Sequence, residues 1–326
     1  MYLINSKIKI YKNFDINIII FNNYLKSIYN NKKIKIKIIN KNKYLYIYIK
    51  NINNKYINIK LLLNFYYFNI VTFLNKYIIK LKIDKKINLL LIEKYNLYGY
   101  NLLFNYNIIK LIVKRKSYIK YLKNINKEIS LMNKIYIYQK ESRIDIYDIN
   151  IKNLNSNNFI FIKNYSNNCI NNIYGIYILN KYQFLKNKII YFNKFNNCKN
   201  NQKFISILND YTKVILKGII NINKNTRNNI SYQNYKNYIL SNNVYINIKP
   251  YLNIYSNNIK CTHGVNMGKI DNNIIYYLLS RGLNILKSKL LYYYSILYEN
   301  IKDKNILYLI KNKIKKKIKE CLIVKK

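Results

Sequence analysis

The sequence predicts a mainly β protein of many short strands, preceded by a short N-terminal segment and followed by a C-terminal α-helical domain. Three observations carry this expectation. Short runs of alternating apolar and polar residues recur from residue 33 onward, as where Ile34, Ile36 and Ile38 interleave with Lys. A period of two sends one set of side chains inward and the other outward, as in a strand. Asn and Lys clusters separate the runs, with one Pro and six Gly in the whole chain. After Asp271 the spacing of apolar residues becomes helical.

Residues 1–32 show no clean period and read as a helical or irregular lead-in. Residues 33–268 read as the β core. Leu45, Ile47 and Ile49 alternate with Tyr, and Ile57/Ile59, Ile144/Ile146, Val244 to Ile248 and Leu252/Ile254 follow suit. Short apolar runs at Ile135 to Tyr138, Phe159 to Ile162, Ile176 to Leu179, Ile189 to Phe192 and Val214 to Leu216 complete the set. Many short strands at this spacing fit a sandwich, a barrel or a solenoid, and the period does not choose among them. Asn accepts left-handed turn geometry and forms side-chain ladders, which suits stacked solenoid turns. The scarcity of Gly and Pro disfavours the hairpin turns of a meander. Residues 269–326 read as helices. Asp271 caps the first through its carboxylate, and Ile274, Ile275 and Leu278 share a face. Gly282 suits the left-handed position that stops it, with Arg281 at its negative end. A second helix is expected from about Asn284 to Ile301. A third, from about Lys304 to Ile323, has Leu307, Ile310, Ile314 and Ile318 at helical spacing.

The 326 residues hold 58 Lys and Arg against 12 Asp and Glu, a formal net charge of +46. Only four of the cations are Arg, and Ala and Trp are absent. Residues whose codons require G or C are scarce, and those built from A and T abound. The simplest origin is a very AT-rich genome, such as that of a reduced endosymbiont or relict organelle. Lys then fills any tolerant exposed site, so the charge is a weak pointer to nucleic acid. No stretch approaches the ~18 apolar residues of a membrane span. The N-terminus lacks a signal-peptide core, Ile18 to Phe21 being too short. Cys169, Cys198, Cys261 and Cys321 lie far apart with no CxxC, which argues against a disulfide framework or zinc finger and fits a reducing compartment.

Residues that oppose the bias are the informative ones. Four of the six Gly, the one Pro (Pro250) and the one His (His263) fall between Gly218 and Gly282. A strand carrying Cys261-x-His263 puts thiol and imidazole on one face. Gly264 and Gly268 would allow tight backbone turns beside that face. A soft thiolate with an imidazole makes a partial site for iron, zinc or an iron–sulfur cluster, which two ligands do not complete. The competing structural reading is a buried Cys and a hydrogen-bonded His near a domain junction.

The run Cys261-Thr262-His263-Gly264, with Lys269-Ile270-Asp271 and then Tyr277-Leu278-x-Ser280-Arg281-Gly282, resembles the C-terminal signature of the SufB/SufD family of iron–sulfur cluster assembly scaffolds. Lys217-Gly218-Ile219-Ile220, Gln233 with Asn237 to Ser241, Lys249-Pro250-Tyr251-Leu252-Asn253-Ile254-Tyr255 and Gly175-Ile176-Tyr177 follow the family pattern in order, so the resemblance spans about residues 173–290. Before residue 130 it is limited to strand texture and an Ile-Glu-x-Tyr at Ile92 to Tyr95. Asn253, Asn257 and Asn258 stand where the family favours acidic residues, and Val265-Asn266-Met267 where it has small ones. A family His-rich stretch is missing near residues 185–195. Lys260-Cys261-Thr262-His263-Gly264 with Gly268-x-Ile270-Asp271 is closer to the SufD branch than to SufB, which carries Glu-His-Glu there.

The resemblance implies a non-catalytic scaffold subunit with a right-handed parallel β-helix (solenoid) core. It implies pairing with SufB through that core, and docking of the ATPase SufC on the helices of about residues 272–323. ATP-driven closure of two SufC subunits would then strain the SufB interface. It makes His263 the interfacial ligand of a transient iron–sulfur cluster shared with SufB, with Cys261 as the second candidate and no stably bound cofactor. Neutral imidazole binds iron and titrates near neutrality. Gly218, Pro250, Gly264, Gly268, Asp271, Ser280, Arg281 and Gly282 would be structural. No Walker A sequence is present, so ATP use falls to a partner. The expected location is the cytoplasm of a bacterial endosymbiont, or a plastid or apicoplast stroma. The alternatives are the SufB paralogue, a basic RNA-binding protein and a stand-alone metal enzyme of cupin or sandwich type. Lys spread over nearly every block, with no RNA motif, disfavours the second. A single His without carboxylates beside it disfavours the third.

Overall fold

Alternation of Ile and Leu with polar residues builds strands with one apolar face, and such strands bury that face by stacking turn upon turn. A computed structural model describes residues 16–21, 24–29, 34–41, 44–52, 55–68, 75–98, 104–125, 130–151, 154–300 and 303–322. These form β1 (Ile16–Phe21), β2 (Tyr24–Tyr29), β3 (Ile34–Lys41), β4 (Tyr44–Asn51), β5 (Ile57–Phe68), β6 (Asn75–Ile83), β7 (Ile87–Tyr98), β8 (Phe104–Val113), β9 (Tyr118–Ile125), β10 (Ser130–Gln139), β11 (Arg143–Asn150), β12 (Asn155–Asn164), β13 (Ile170–Leu179), β14 (Phe184–Asn193), β15 (Lys199–Leu208), β16 (Lys213–Ile222), β17 (Asn229–Ile239), β18 (Tyr245–Ile254) and β19 (Ile259–Gly268), then helices α1 (Asn272–Ser280), α2 (Ile285–Asn300) and α3 (Lys304–Leu322).

From β4 onward the chain alternates between two sheets. One has ten strands, in the order β19-β17-β15-β13-β11-β9-β7-β5-β1-β2; the other has nine, β18-β16-β14-β12-β10-β8-β6-β4-β3. Within each sheet the pairs from β4 and β5 onward are parallel, and Ile170, Lys199, Ile230 and Lys260 stand side by side. A turn of about 30 residues therefore returns the chain to the same register. This is a parallel β-solenoid, the one of the three arrangements left open by the alternation that the Asn-rich turns favour. Its corners use left-handed residues that are not glycine: Lys86, Lys116, Glu141, Asn168, Asn197 and Asn228 have φ between 37° and 59°. Each corner ties to the next through the backbone, as in Asn168 N–H to Asn196 O (3.1 Å) and Asn197 N–H to Arg227 O (3.0 Å). Corner bonds repeated turn after turn offset the strain of φ > 0 in residues with a Cβ.

The lead-in expectation for residues 1–32 is corrected where the structure describes them. Residues 16–21 and 24–29 are strands that pair antiparallel, and β1 also pairs parallel with β5. The core therefore begins before residue 33. The run Ile18-Ile19-Ile20-Phe21 has no period of its own, but β-branched and aromatic residues suit a pleated surface, and the edge of β5 supplies the partner. Residues 1–15 lie outside the described residues. A second antiparallel pair, β3 with β4, turns the nine-stranded sheet at the same end.

Inside the solenoid the apolar columns are fully buried, among them Ile119, Ile144, Ile173, Leu185 and Leu216. The ten-stranded sheet is also covered outside. Ile149, Ile176, Ile178, Ile205 and Ile207 pack beneath Tyr293, Leu297, Ile306, Ile310, Ile314 and Ile318 of α2 and α3. Strand β11 is consequently buried at every position after Arg143. The C-terminal helices share this layer with the sheet and do not build a separate core. Each fully buried Ile of α3 contributes about 1.5–3 kcal/mol by leaving water. An ion pair of Lys120 with Asp303 and a bond from Asn209 Nδ2 to Cys321 O (3.1 Å) fix α3 on the sheet. No described helix is long and apolar enough to cross a membrane.

The predicted caps are in place. Asp271 Oδ1 accepts from Asn273 N–H at 2.9 Å at the start of α1. Gly282 closes α1 at φ 84°, with Gly282 N–H on Leu279 O (2.9 Å) and Leu283 N–H on Leu278 O (3.2 Å).

Candidate functional site

Four inward columns of the ten-stranded sheet end on β19. Asn171, Asn200 and Ser231 lead to Cys261; Ile173, Gln202 and Gln233 to His263; Gly175, Phe204 and Tyr235 to Val265; Tyr177, Ser206 and Asn237 to Met267. The first column is a hydrogen-bonded ladder: Gln139 Nε2 donates to Asn171 (2.7 Å), Asn171 Nδ2 to Asn200 (3.2 Å) and Asn200 Nδ2 to Ser231 (3.1 Å). In the second, Gln202 Oε1, two turns before His263, accepts from Tyr235 Oη of the neighbouring column at 3.0 Å. Across the lumen, β18 presents Ile246, Ile248, Pro250, Leu252 and Ile254, the register partners of buried or glycine positions on β16.

On this last turn the inward positions are no longer covered. Strand β17 buries Ser231, Gln233, Tyr235 and Asn237, whereas on β19 His263 is exposed and Val265 and Met267 reach 40% and 55% exposure. β18 and β19 are also the outer strands of their sheets, each with one unpaired backbone edge. The solenoid thus ends in an open apolar cross-section that displays Cys261 and His263.

Cys261 and His263 share the inward face, as the i, i+2 spacing requires. Cys261 packs partly against the core. Burial pushes its thiol up, and hydrogen bonding with Ser231 only partly opposes this, so it is held as a neutral thiol. The His263 imidazole makes no hydrogen bond to another described residue. Among the described residues no third His, Cys, Asp or Glu joins the pair.

Gly264 and Gly268 do not make tight turns, contrary to the expectation from sequence. Both lie within β19, and a Cβ on either would meet nothing within 4 Å. Gly218 is different: a Cβ there would sit 2.1 Å from Tyr235 Oη and 2.7 Å from Gln202 Oε1. Gly175 would strike Phe204 Cδ1 at 2.0 Å. Pro250 pairs with Gly218 on an outer strand, where a missing N–H is tolerated. Beyond β19, Ser280 Oγ donates to Tyr277 O (2.8 Å) and Arg281 lies over the Tyr277 ring at 5.3 Å. Of α1 only Ile275 is buried, while Ile274, Tyr276 and Tyr277 are exposed.

Two features escaped the reading of the sequence. Glu93, Lys123 and Asp148 stand side by side on three successive turns, inside the solenoid and almost fully buried. Tyr121 Oη donates to Glu93, Tyr177 Oη to Asp148 (2.9 Å) and Asn187 Nδ2 to Asp148 (3.2 Å), and Lys123 Nζ lies 3.7 Å from Asp148. Burial and these carboxylates push both tyrosines well above their usual range. The signal was available: with only 12 acidic residues in the chain, one in the inward phase of a strand stands out. The second feature is a contact between Cys169 and Cys198, taken up below.

The fold and the site together define a parallel β-solenoid with a helical cover, whose last turn is an exposed edge carrying the rare residues. The chain belongs to the SufBD family: residues 72–293 match the SufBD core domain of SUF system FeS cluster assembly. It is 32% identical over 72 residues to the iron–sulfur cluster assembly protein SufD of Escherichia coli (strain K12), covering 22% of this chain and 17% of that protein. It is 32% identical over 74 residues to an iron–sulfur cluster assembly SufBD family protein of Synechocystis sp., covering 23% of this chain and 16% of that protein.

Proposed function

We propose that this chain is a SufD-type scaffold subunit of an iron–sulfur cluster assembly complex, with no catalytic chemistry of its own. The observation that carries the reading is the placement of the chain's one His on an outer strand, among apolar side chains that no described residue covers. Unpaired strand edges are templates for strand addition. A second solenoid, of SufB type, docks against β18 and β19, continuing both sheets and covering Val265 and Met267. Gly264 and Gly268, with free space above them, let its backbone or side chains approach closely. His263 then supplies one ligand to a cluster that is cargo and not a resident cofactor, Cys261 is the reserve ligand, and the partner supplies the rest. The exposed apolar residues of α1 and early α2, Ile274, Tyr276, Tyr277, Ile285 and Leu286, receive the SufC-type ATPase.

Co-expression with SufB and SufC tests this. The three proteins are expected to co-purify, and His263→Ala to keep the complex intact while cluster formation, read by visible absorption, falls at least tenfold. Full cluster formation in His263→Ala would remove the ligand role, and failure to co-purify would remove the scaffold reading.

One observation favours a second reading. The nine-stranded sheet carries no Asp or Glu in its described strands. Its outward Lys lie over aromatic rings, as Lys82 over Tyr48 (5.1 Å) and Lys217 over Tyr251 (4.7 Å). Such a face suits RNA. The RNA reading predicts binding whose affinity falls steeply with salt and is lost when Lys82 and Lys217 are replaced by Glu.

A further inference from the structure

Cys169 and Cys198 are 29 residues apart in sequence, and one turn of the solenoid brings them together. Each follows a left-handed Asn in the same Asn-Asn-Cys corner, with Asn168 at φ 59° and Asn197 at φ 56°. They occupy one column. Arg143 N–H bonds to Ser117 O (3.0 Å), Ile170 to Ser142 O (3.0 Å), Lys199 to Cys169 O (2.8 Å) and Ile230 to Cys198 O (3.0 Å), so Ser117, Ser142, Cys169 and Cys198 take equivalent places on successive turns. Both thiols are fully buried. Both sulfurs reach the same carbonyl oxygen: Ser166 O lies 3.3 Å from Cys169 Sγ and 3.8 Å from Cys198 Sγ. Neighbouring strands run ~4.8 Å apart, within the ~4.4–6.8 Å between Cα atoms that a disulfide spans.

We infer that Cys169 and Cys198 form a dithiol that hydrogen peroxide closes into a disulfide across two turns of the solenoid. The two places before them hold Ser117 and Ser142 and the next one holds Asn229, so the column accepts small and polar residues and does not itself call for two adjacent thiols. The electrostatics agree with the geometry. Hydrogen bonding from the Cys198 thiol pulls Cys169 down to about 7, and the same contact, with burial, pushes Cys198 up. One sulfur is thereby prepared as the nucleophile and the other keeps its proton. Among the described residues Cys321 has no such neighbour, and burial pushes it up to about 12. In the first step the Cys169 thiolate attacks one peroxide oxygen, the O–O bond breaks, and hydroxide leaves as Cys169 becomes a sulfenic acid. In the second, Cys198 sulfur attacks Cys169 sulfur; the S–O bond breaks, and the departing hydroxide takes the Cys198 proton to leave as water. Two thiols lose two electrons and peroxide gains them, ending as two waters. Peroxide is small enough to reach the corner through local opening.

The inference does not rest on the scaffold reading, and its test uses the whole chain under native conditions. Fully reduced protein is exposed to hydrogen peroxide until Met267, 55% exposed, is oxidised. It is then alkylated in denaturant and digested without reduction. The expected result is a cross-linked peptide pair carrying Cys169 and Cys198, lighter by two hydrogens than the separate peptides, with two of the four thiols lost. In Cys198→Ser the cross-link vanishes and dimedone traps a sulfenic acid at Cys169; if that variant does not fold, the wild-type result decides. Full alkylation of both Cys169 and Cys198 after Met267 has been oxidised would overturn the inference, as would a wild-type sulfenic acid at Cys169 that never passes to Cys198.

Discussion

The inner turns of the solenoid and its last turn are built on the same register but from different constraints. On β16 every second residue is buried, and on its neighbour β18 none is. The glycines follow this division. Gly175 and Gly218 lie where aromatic and amide side chains leave no room for a methyl, whereas Gly264 and Gly268 face open space. Packing within the chain therefore dictates the inner residues. No packing among the described residues explains an exposed Val265, Met267 and His263 at the places where the preceding turn puts a buried Tyr, Asn and Gln. In the proposed function a partner supplies the missing half of the last turn.

The contrast can be broken by truncation. Ile173→Ala in the inner column is expected to lose about 2–5 kcal/mol in denaturant unfolding, since the cavity cannot be refilled from neighbouring turns. Val265→Ala is expected to stay within about 0.5 kcal/mol of wild type in the isolated chain. Equal losses at the two positions would mean that the last turn is packed as the others are. Gly218→Ala comes next, with an expected loss of about 1–3 kcal/mol because Tyr235, itself buried, must move. Gly264→Ala and Gly268→Ala are expected to leave stability unchanged while weakening capture of a SufB-type partner.

A smaller effect sharpens the comparison from the inner side. Burial alone would push the Asp84 carboxyl up. Its bond from Lys114 (3.0 Å) and those from backbone N–H groups, with the attraction of the Lys114 charge, outweigh burial and hold it below the usual carboxylate range. A carboxyl depressed in the folded state adds stability above its unfolded pKa, about 3.9, and that stability is lost as pH falls through the folded value. Acid unfolding followed by circular dichroism is expected to show that wild type gives up more stability than Asp84→Asn below about pH 4. Parallel curves would show that this corner contributes nothing to the acid limb.

Much of this molecule was legible in its sequence, and the exceptions have physical causes. The alternation in the later strands and the cap at Asp271 report local geometry, which sequence records directly. The cluster at Lys260 to Gly282 was legible because its residues oppose the composition. Ile16 to Phe21 was not, because a short apolar run has no period until an edge such as β5 gives it a partner. Gly264 and Gly268 were misread as turn residues, since a glycine in a strand facing open space looks in sequence like one that turns the chain. The Cys169–Cys198 contact was hidden for a different reason. Twenty-nine residues is a long separation in an ordinary fold and a nearest-neighbour distance once the turn length is known.

In the proposed function β18 and β19 are an edge that a second solenoid completes. Amide hydrogen exchange, read peptide by peptide with and without a SufB-type partner, tests it most directly. The amides of residues 245–268 are expected to exchange quickly in the chain alone and to become strongly protected in the complex, while those of β13 and β15 stay slow in both. Protection confined to the outer face of the nine-stranded sheet, or no change at residues 245–268 in a complex that has formed, would contradict it.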